Sequence, residues 1–141
     1  MKVFVDTNVL IDYVCRREPF FVPAKSIFAI CFLGKIEIIV SALSIVNTLY
    51  IGRKYGSDVL RTKLSSLSQI INIVDLSAEM TTQTLQTGWA DYEDALQNAT
   101  AINFSADCIV TRNTKDFKDS SLPVCTAEEF FNQWVEKESC H

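Results

Sequence analysis

The stretch Met1-Lys2-Val3-Phe4-Val5-Asp6-Thr7-Asn8-Val9-Leu10-Ile11-Asp12 decides how the rest of the chain is read. A short apolar run, 3–5, ends on a carboxylate, a hydroxyl and an amide. Apolar residues then resume at helical spacing through Val9, Leu10, Tyr13 and Val14. This is the pattern of a buried strand handing over to a helix. In an open parallel sheet, ligands bind just beyond the carboxyl ends of the strands. A first strand that delivers Asp6 to that edge therefore places a charge where chemistry is usually done. An Asp in that position also serves as a helix cap, so the meaning of Asp6 depends on which other polar groups arrive beside it.

Working outward, strand and helix patterns alternate. Glu18-Pro19 and Val22-Pro23 are expected to break the chain. Residues 24–33 read as a buried helix that stops at Gly34. A β-branched strand over 36–40 leads to Ser41, a natural helix cap. The spacing then predicts a helix over 43–55 closing at Gly56, and another from Ser57 or Asp58 to about Gln69. A third strand is expected over 70–75, followed by a helix opened by Ser77 and ending near Gly88. Asp91-Tyr92-Glu93-Asp94 precedes an Ala-rich helix to Phe104. Residues 108–110 form a fourth strand that ends in Thr111-Arg112-Asn113. A short strand near Val124 precedes Thr126-x-x-Glu129, a capping box that opens the terminal helix. Alternation of this kind implies right-handed crossovers and an α/β fold. The expected architecture is a three-layer sandwich with a central parallel sheet of about four to five strands flanked by helices.

Composition narrows the classes. The 141 residues, 48% of them hydrophobic, suit a single domain over 1–141 with a substantial core, and no Gly/Ser-rich linker divides them. No apolar run reaches the ~18 residues of a membrane span, and the start lacks the pattern of a signal peptide. Five cysteines, an odd count without a CxxC pair, read as reduced thiols rather than disulfides or zinc ligands. A cytoplasmic location is expected. The net charge of −4 counts mildly against a nucleic-acid partner, although an acidic site that recruits cations biases the total in the same direction. The single histidine, His141, is the last residue, so His-based catalysis is not expected.

The polar clusters fall at one predicted edge. Asp6 follows the first strand, Asn113 and Asp116 follow the fourth, and Asp94 sits in the first turn of the helix leading into that fourth strand. Ser41 and Asn47 belong to the end of the second strand and its helix. A doubly wound order makes the first and fourth strands neighbours, so that Asp6, Asp94 and Asp116 share one pocket. Carboxylates that close stay ionised together only when a cation neutralises them. Oxygen ligands without His or Cys select a hard ion, Mg²⁺ or Mn²⁺, which suits phosphoryl chemistry.

These residues resemble a PIN domain, the metal-dependent ribonuclease fold of VapC-type toxins. The likeness rests on Val5-Asp6-Thr7-Asn8-Val9-Leu10-Ile11-Asp12 at the start and on Ile109-Val110-Thr111-Arg112-Asn113-x-x-Asp116-Phe117 near the end. Asp91-Tyr92-Glu93-Asp94-Ala95-Leu96-Gln97-Asn98-Ala99 matches the middle block. The resemblance implies that Asp6, Asp94 and Asp116 are catalytic and hold the metal. Asn113 would orient water or metal, Thr7 and Thr111 would supply hydroxyls, and Asn8 would brace the first loop. Ser41 and Asp91 would support the site. The departure is Asn47, which stands where most PIN nucleases carry Glu. That loss should weaken divalent binding, with Asp91 and Glu93 as nearby acids able to compensate.

The resemblance further implies a single-stranded RNA substrate, an antitoxin protein that masks the site, and a homodimer. Phe20-Phe21-Val22 and Ile27-Phe28 could form the contact surface, and buried core explains those aromatics at least as well. Arg16, Arg17, Arg112 and Lys115 are candidate phosphate contacts, as are Arg53 and Lys54, with a solvated surface as the ordinary alternative for each. Trp89 and Tyr92 are candidates for base stacking or for ordinary packing. Because of Asn47, a second reading stays open: a weakened or inactive PIN-fold module acting by RNA or protein binding. A phosphotransfer domain of the receiver or dehalogenase kind also places Asp after a first strand. It lacks support here, since Asn8 stands where the dehalogenase type needs a second Asp.

Overall fold

The computed structural model describes residues 1–140; His141 lies outside the described residues. Five strands form one parallel sheet in the order β3-β2-β1-β4-β5. They are β1 (Lys2–Val5), β2 (Glu37–Ser41), β3 (Asn72–Val74), β4 (Cys108–Val110) and β5 (Val124–Cys125). The helices are α1 (Thr7–Val14), α2 (Phe21–Phe32), α3 (Ala42–Ile51), α4 (Ser57–Leu67), α5 (Ala78–Thr84), α6 (Tyr92–Asn103) and α7 (Ala127–Ser139). The α/β sandwich expected from the sequence is the observed architecture.

β1 is central, and its alternation divides the core. Val3 and Val5 face one layer with Ile38 and Val40, against Val9 and Leu10 of α1, Ile27 and Phe28 of α2, Leu60 of α4 and Phe130 of α7. Phe4 faces the other with Ile39 and Ile109, against Ala101 of α6 and Phe117. Ile27 and Phe28 are fully buried in the first layer. Of the two readings open for them, Ile27 and Phe28 are therefore core rather than contact surface, whereas Phe20 and Val22 remain exposed. Burying each such side chain is worth about 1.5–3 kcal/mol. No helix among the described residues is long and apolar enough to cross a membrane.

Several boundaries differ from expectation for identifiable reasons. Val22-Pro23 does not break the chain: α2 starts at Phe21, and Pro23 sits in its first turn, where its missing N–H has no partner to lose. The helix expected over 43–55 ends at Ile51 and tightens into a 3₁₀ turn, Gly52–Tyr55. A Cβ on Gly52 would lie 2.6 Å from Leu60 and 3.1 Å from the Cys15 sulfur, so the helix end is pressed too closely against its neighbours for a side chain. The third strand shrinks to Asn72–Val74 because it is the sheet edge, where the pairing partner is β2 alone. The helix opened by Ser77 stops at Thr84.

One charge is sealed inside this frame. Asp12 is 1% exposed; Arg17 Nε donates to its Oδ1 at 2.9 Å, and Arg112 Nε lies 2.9 Å from its Oδ2. The second contact is an ion pair without hydrogen-bond alignment. Arg16 adopts φ +51° at the end of α1, which lets the Arg17 N–H return to the Asp12 carbonyl at 3.1 Å. Asp12 thus ties α1 to the loop after β4. Asp12→Ala leaves two guanidinium groups around an empty site and should cost about 3 kcal/mol, read as a lower urea midpoint.

Candidate functional site

In the order β3-β2-β1-β4-β5 the chain departs in opposite directions from β1 and β4, so their carboxyl ends mark the point where open sheets bind ligands. Asp6 is the residue after β1, and its N–H bonds the Val110 carbonyl of β4 at 3.0 Å. It caps α1, accepting from the Thr7 N–H at 2.9 Å through Oδ1. The cap reading and the site reading of Asp6 are both realised. Its Oδ2 accepts from Thr111 Oγ1 at 2.8 Å. Asn8 clamps the same corner: its Oδ1 accepts from the Arg112 N–H at 3.3 Å, and its Nδ2 reaches Thr111 Oγ1 at 3.4 Å.

A residue that the sequence reading passed over holds the other side. Gln97, fully buried on α6, places Nε2 3.1 Å from Asp6 Oδ1, 3.2 Å from Thr7 Oγ1 and 2.9 Å from Ser44 Oγ. Its carbonyl accepts from Ser41 Oγ at 2.6 Å. Thr7 and Ser44 hydroxyls meet at 2.8 Å, and Ser41 caps α3 through the Ser44 N–H. One amide thereby joins the start of α1, the end of β2, α3 and α6 around the Asp6 carboxylate. The signal was available: Gln97 lies three residues after Asp94 and four before Ala101, on the inward stripe of its helix.

The rim of the site is acidic. A pocket of about 270 Å³ is lined by Asp6, Asp91, Glu93, Asp94, Asn113 and Asp116, among others. Asp91 caps α6 and accepts from the Asp94 N–H at 3.0 Å, which places Glu93 and Asp94 in its first turn. Asp116 belongs to a 3₁₀ turn, Thr114–Phe117, pinned by buried Phe117. Asn47 does not line this pocket, but its Nδ2 donates to Glu93 Oε1 at 2.9 Å. Arg17 lines the pocket while paired with Asp12, Lys115 is exposed and does not line it, and Arg16 lies over the Phe21 ring. Arg112 is stacked on Phe20. Trp89 packs edge-on against Phe117, and the Tyr92 hydroxyl donates to the Thr81 carbonyl. Both rings are therefore engaged in packing or bonding within the fold.

The acids disturb one another. Partial burial, then the charges of Asp91, Asp6, Asp116 and Glu93, push the Asp94 carboxyl up to about 7. Burial raises Asp6 against the opposing hydrogen bonds from Thr111, Gln97 and Thr7, and Asp116 adds to the rise. Glu93 is raised by desolvation and by Asp6 and Asp91, while the Asn47 bond opposes it. Each is protonated more readily folded than unfolded, so the native state binds more protons and stability falls as pH rises through these values. In EDTA, acidifying from about pH 8 to about pH 6 should raise the melting temperature, and Asp94→Asn should shrink that rise.

The donor set is oxygen throughout, without His or Cys, and suits a hard divalent ion. Among the described residues, no group of three or more Asp, Glu, His or Cys side chains stands in a ready coordinating arrangement. The carboxylates ring an open pocket. Their mutual repulsion is the property that an ion entering that pocket would relieve. A larger pocket of about 420 Å³, lined by Tyr13, Phe21, Phe32, Leu67 and Ile70, carries no carboxylate and offers no comparable chemistry.

Comparison with known proteins bears on this site. A family model describing the PIN domain matches residues 2–115. Ribonuclease VapC1 of Aquifex aeolicus is 26% identical over 141 residues, spanning 94% of this chain and 95% of that protein. A toxin–antitoxin complex from Klebsiella pneumoniae contains a chain of similar structure, with TM-score 0.65 at 26% identity over 89% of this chain and 97% of that one. VapC20 of Mycobacterium tuberculosis, a sarcin–ricin loop cleaving toxin, has TM-score 0.62 at 16% identity over 76% of this chain and 86% of its own, a likeness of fold.

Proposed function

This chain belongs to the PIN-domain family, and on that premise we propose that it is a Mg²⁺- or Mn²⁺-dependent endoribonuclease. Its substrate is single-stranded RNA, whose phosphodiester bonds it hydrolyses, and it is the toxin of a toxin–antitoxin pair. The observation that carries this reading is the gathering of Asp6, Asp94 and Asp116 around one pocket at the switch point of the sheet. The ribonuclease among its relatives and the toxin–antitoxin complex among similar structures support it. An antitoxin partner, a homodimer and a cytoplasmic location complete the reading.

Asp6, Asp94 and Asp116 would hold the ion. When bound, it would lower the pKa of water and offset charge developing on the phosphate. The chain's own contribution is orientation. Thr7, Thr111 and Gln97 fix both oxygens of Asp6, so its outward lone pairs keep one direction. Asn113 sets a neutral amide at the rim, where it can direct a water without adding repulsion. Arg17, which lines the pocket, and exposed Lys115, the residue before Asp116, would supply positive charge for a phosphate backbone.

The test is cleavage of a mixed single-stranded RNA pool in Mn²⁺, wild type beside Asp6→Asn, with and without excess EDTA. Metal-dependent cleavage by wild type alone is expected; cleavage that persists in EDTA overturns the mechanism. Asn47 favours a second reading, a PIN module that binds without cutting. A folded wild type that retains RNA yet leaves it intact would establish that reading instead.

A further inference from the structure

Position 47 lacks the Glu that the resemblance leads one to expect, yet Asn47 is not idle. It projects from α3 across to α6 and donates to Glu93 Oε1 at 2.9 Å, a contact between residues 46 apart in sequence. Glu93 has no other hydrogen-bond partner among the described residues, and it lines the same pocket as Asp6, Asp94 and Asp116. We propose that Glu93 supplies from α6 the carboxylate that the chain lacks on α3, with Asn47 as its positioning residue. This inference rests on the metal-dependent reading above.

Three physical points carry it. First, an amide at 47 can only hold a carboxylate through its N–H; a Glu there would set two like charges within hydrogen-bonding distance and drive them apart. Asn47 and Glu93 thus make a matched pair, in which the acid and the neutral residue have exchanged helices. Second, Asn47 occupies one oxygen of Glu93 and leaves Oε2 with both lone pairs for a ligand. Third, Glu93 lies in the first turn of α6, where the helix dipole favours a negative charge. A purely structural surface bond would tie α3 to α6 and would leave ion affinity unaffected.

The experiment separates the two. Mn²⁺ affinity is measured by EPR titration on the full chain for wild type, Glu93→Gln, Asn47→Glu and the double variant, with melting in EDTA as the control on folding. Glu93→Gln should weaken Mn²⁺ binding by about tenfold. Asn47→Glu alone should not tighten binding, because the added carboxylate contends with Glu93. The double variant should recover most of the affinity lost in Glu93→Gln. If Glu93→Gln folds poorly, Glu93→Asp, which keeps the charge but shortens its reach, should also bind more weakly than wild type. Wild-type affinity in Glu93→Gln, or tighter binding in Asn47→Glu alone, overturns the role of Glu93 while leaving the nuclease reading in place. Failure of wild type itself to bind Mn²⁺ overturns both.

Discussion

Asp6→Asn is expected to reduce RNA cleavage by roughly 10³-fold or more, to leave the fold intact and, in EDTA, to raise the melting temperature. The loss of activity follows from position. Asp6 is the acid at the junction of β1 and β4, with both oxygens held by donors. Replacing one oxygen by an NH₂ removes both a charge and a set of lone pairs from the pocket. The gain in stability follows from the same burial. Asp6 is 6% exposed, and burial together with Asp116 opposes its ionised form. An Asn there carries no charge to desolvate. Its amide oxygen can still accept from Thr7 and Gln97, and its NH₂ can donate to Thr111 Oγ1 once that hydroxyl rotates. A variant that loses activity by unfolding would melt lower in EDTA. One that loses activity because the acid was functional melts higher, the exchange of stability for activity common at strained sites. Mn²⁺ should reverse the order, since it stabilises wild type by binding its native state and has weaker purchase on the variant.

The scaffold was legible because its signals are local. Apolar runs bounded by Gly or by hydroxyl caps fixed the alternation of strands and helices, and alternation restricts the sheet to parallel crossovers. The adjacency of β1 and β4 follows from that topology, which is why Asp6, Asp94 and Asp116 could be placed at one pocket from the sequence. What escaped depends on side chains meeting across elements. Arg17 and Arg112 read as candidate phosphate contacts until Asp12 is seen buried between them. Asn47 read as a deficit in the site until its bond to Glu93 appeared. Gln97 read as one polar residue among others on an Ala-rich helix, since sequence alone does not reveal that four hydroxyl or carboxyl groups surround it. Polar residues in helices are solvated far more often than buried, and burial is the one fact that a single sequence conceals best.

Gln97→Leu is expected to cost about 3 kcal/mol in stability and about tenfold in Mn²⁺ affinity, although Gln97 touches no ion. The side chain is fully buried and its loss strands several partners at once. Ser41 Oγ loses its acceptor, while Asp6 Oδ1, Thr7 Oγ1 and Ser44 Oγ lose a shared donor. Leu fills much of the volume, so the penalty is one of unpaired polar groups rather than of a cavity. Released from Gln97, Asp6 keeps Thr7 and Thr111 but loses the contact that comes from α6, the helix that also carries Asp94. The distance between those two acids then depends on packing alone. Gln97→Glu sharpens the argument, because it preserves shape and the acceptor for Ser41. It can donate to Asp6 only while it carries a proton, so its destabilisation should grow as pH rises. Urea midpoints that fall relative to wild type as pH rises for both variants, and more steeply for Gln97→Glu, would place the Gln97 amide as the donor that holds Asp6, because losing that donor leaves the ionised Asp6 less supported. A Gln97→Leu midpoint that stays at a constant offset from wild type at every pH would show that the amide is only filling space.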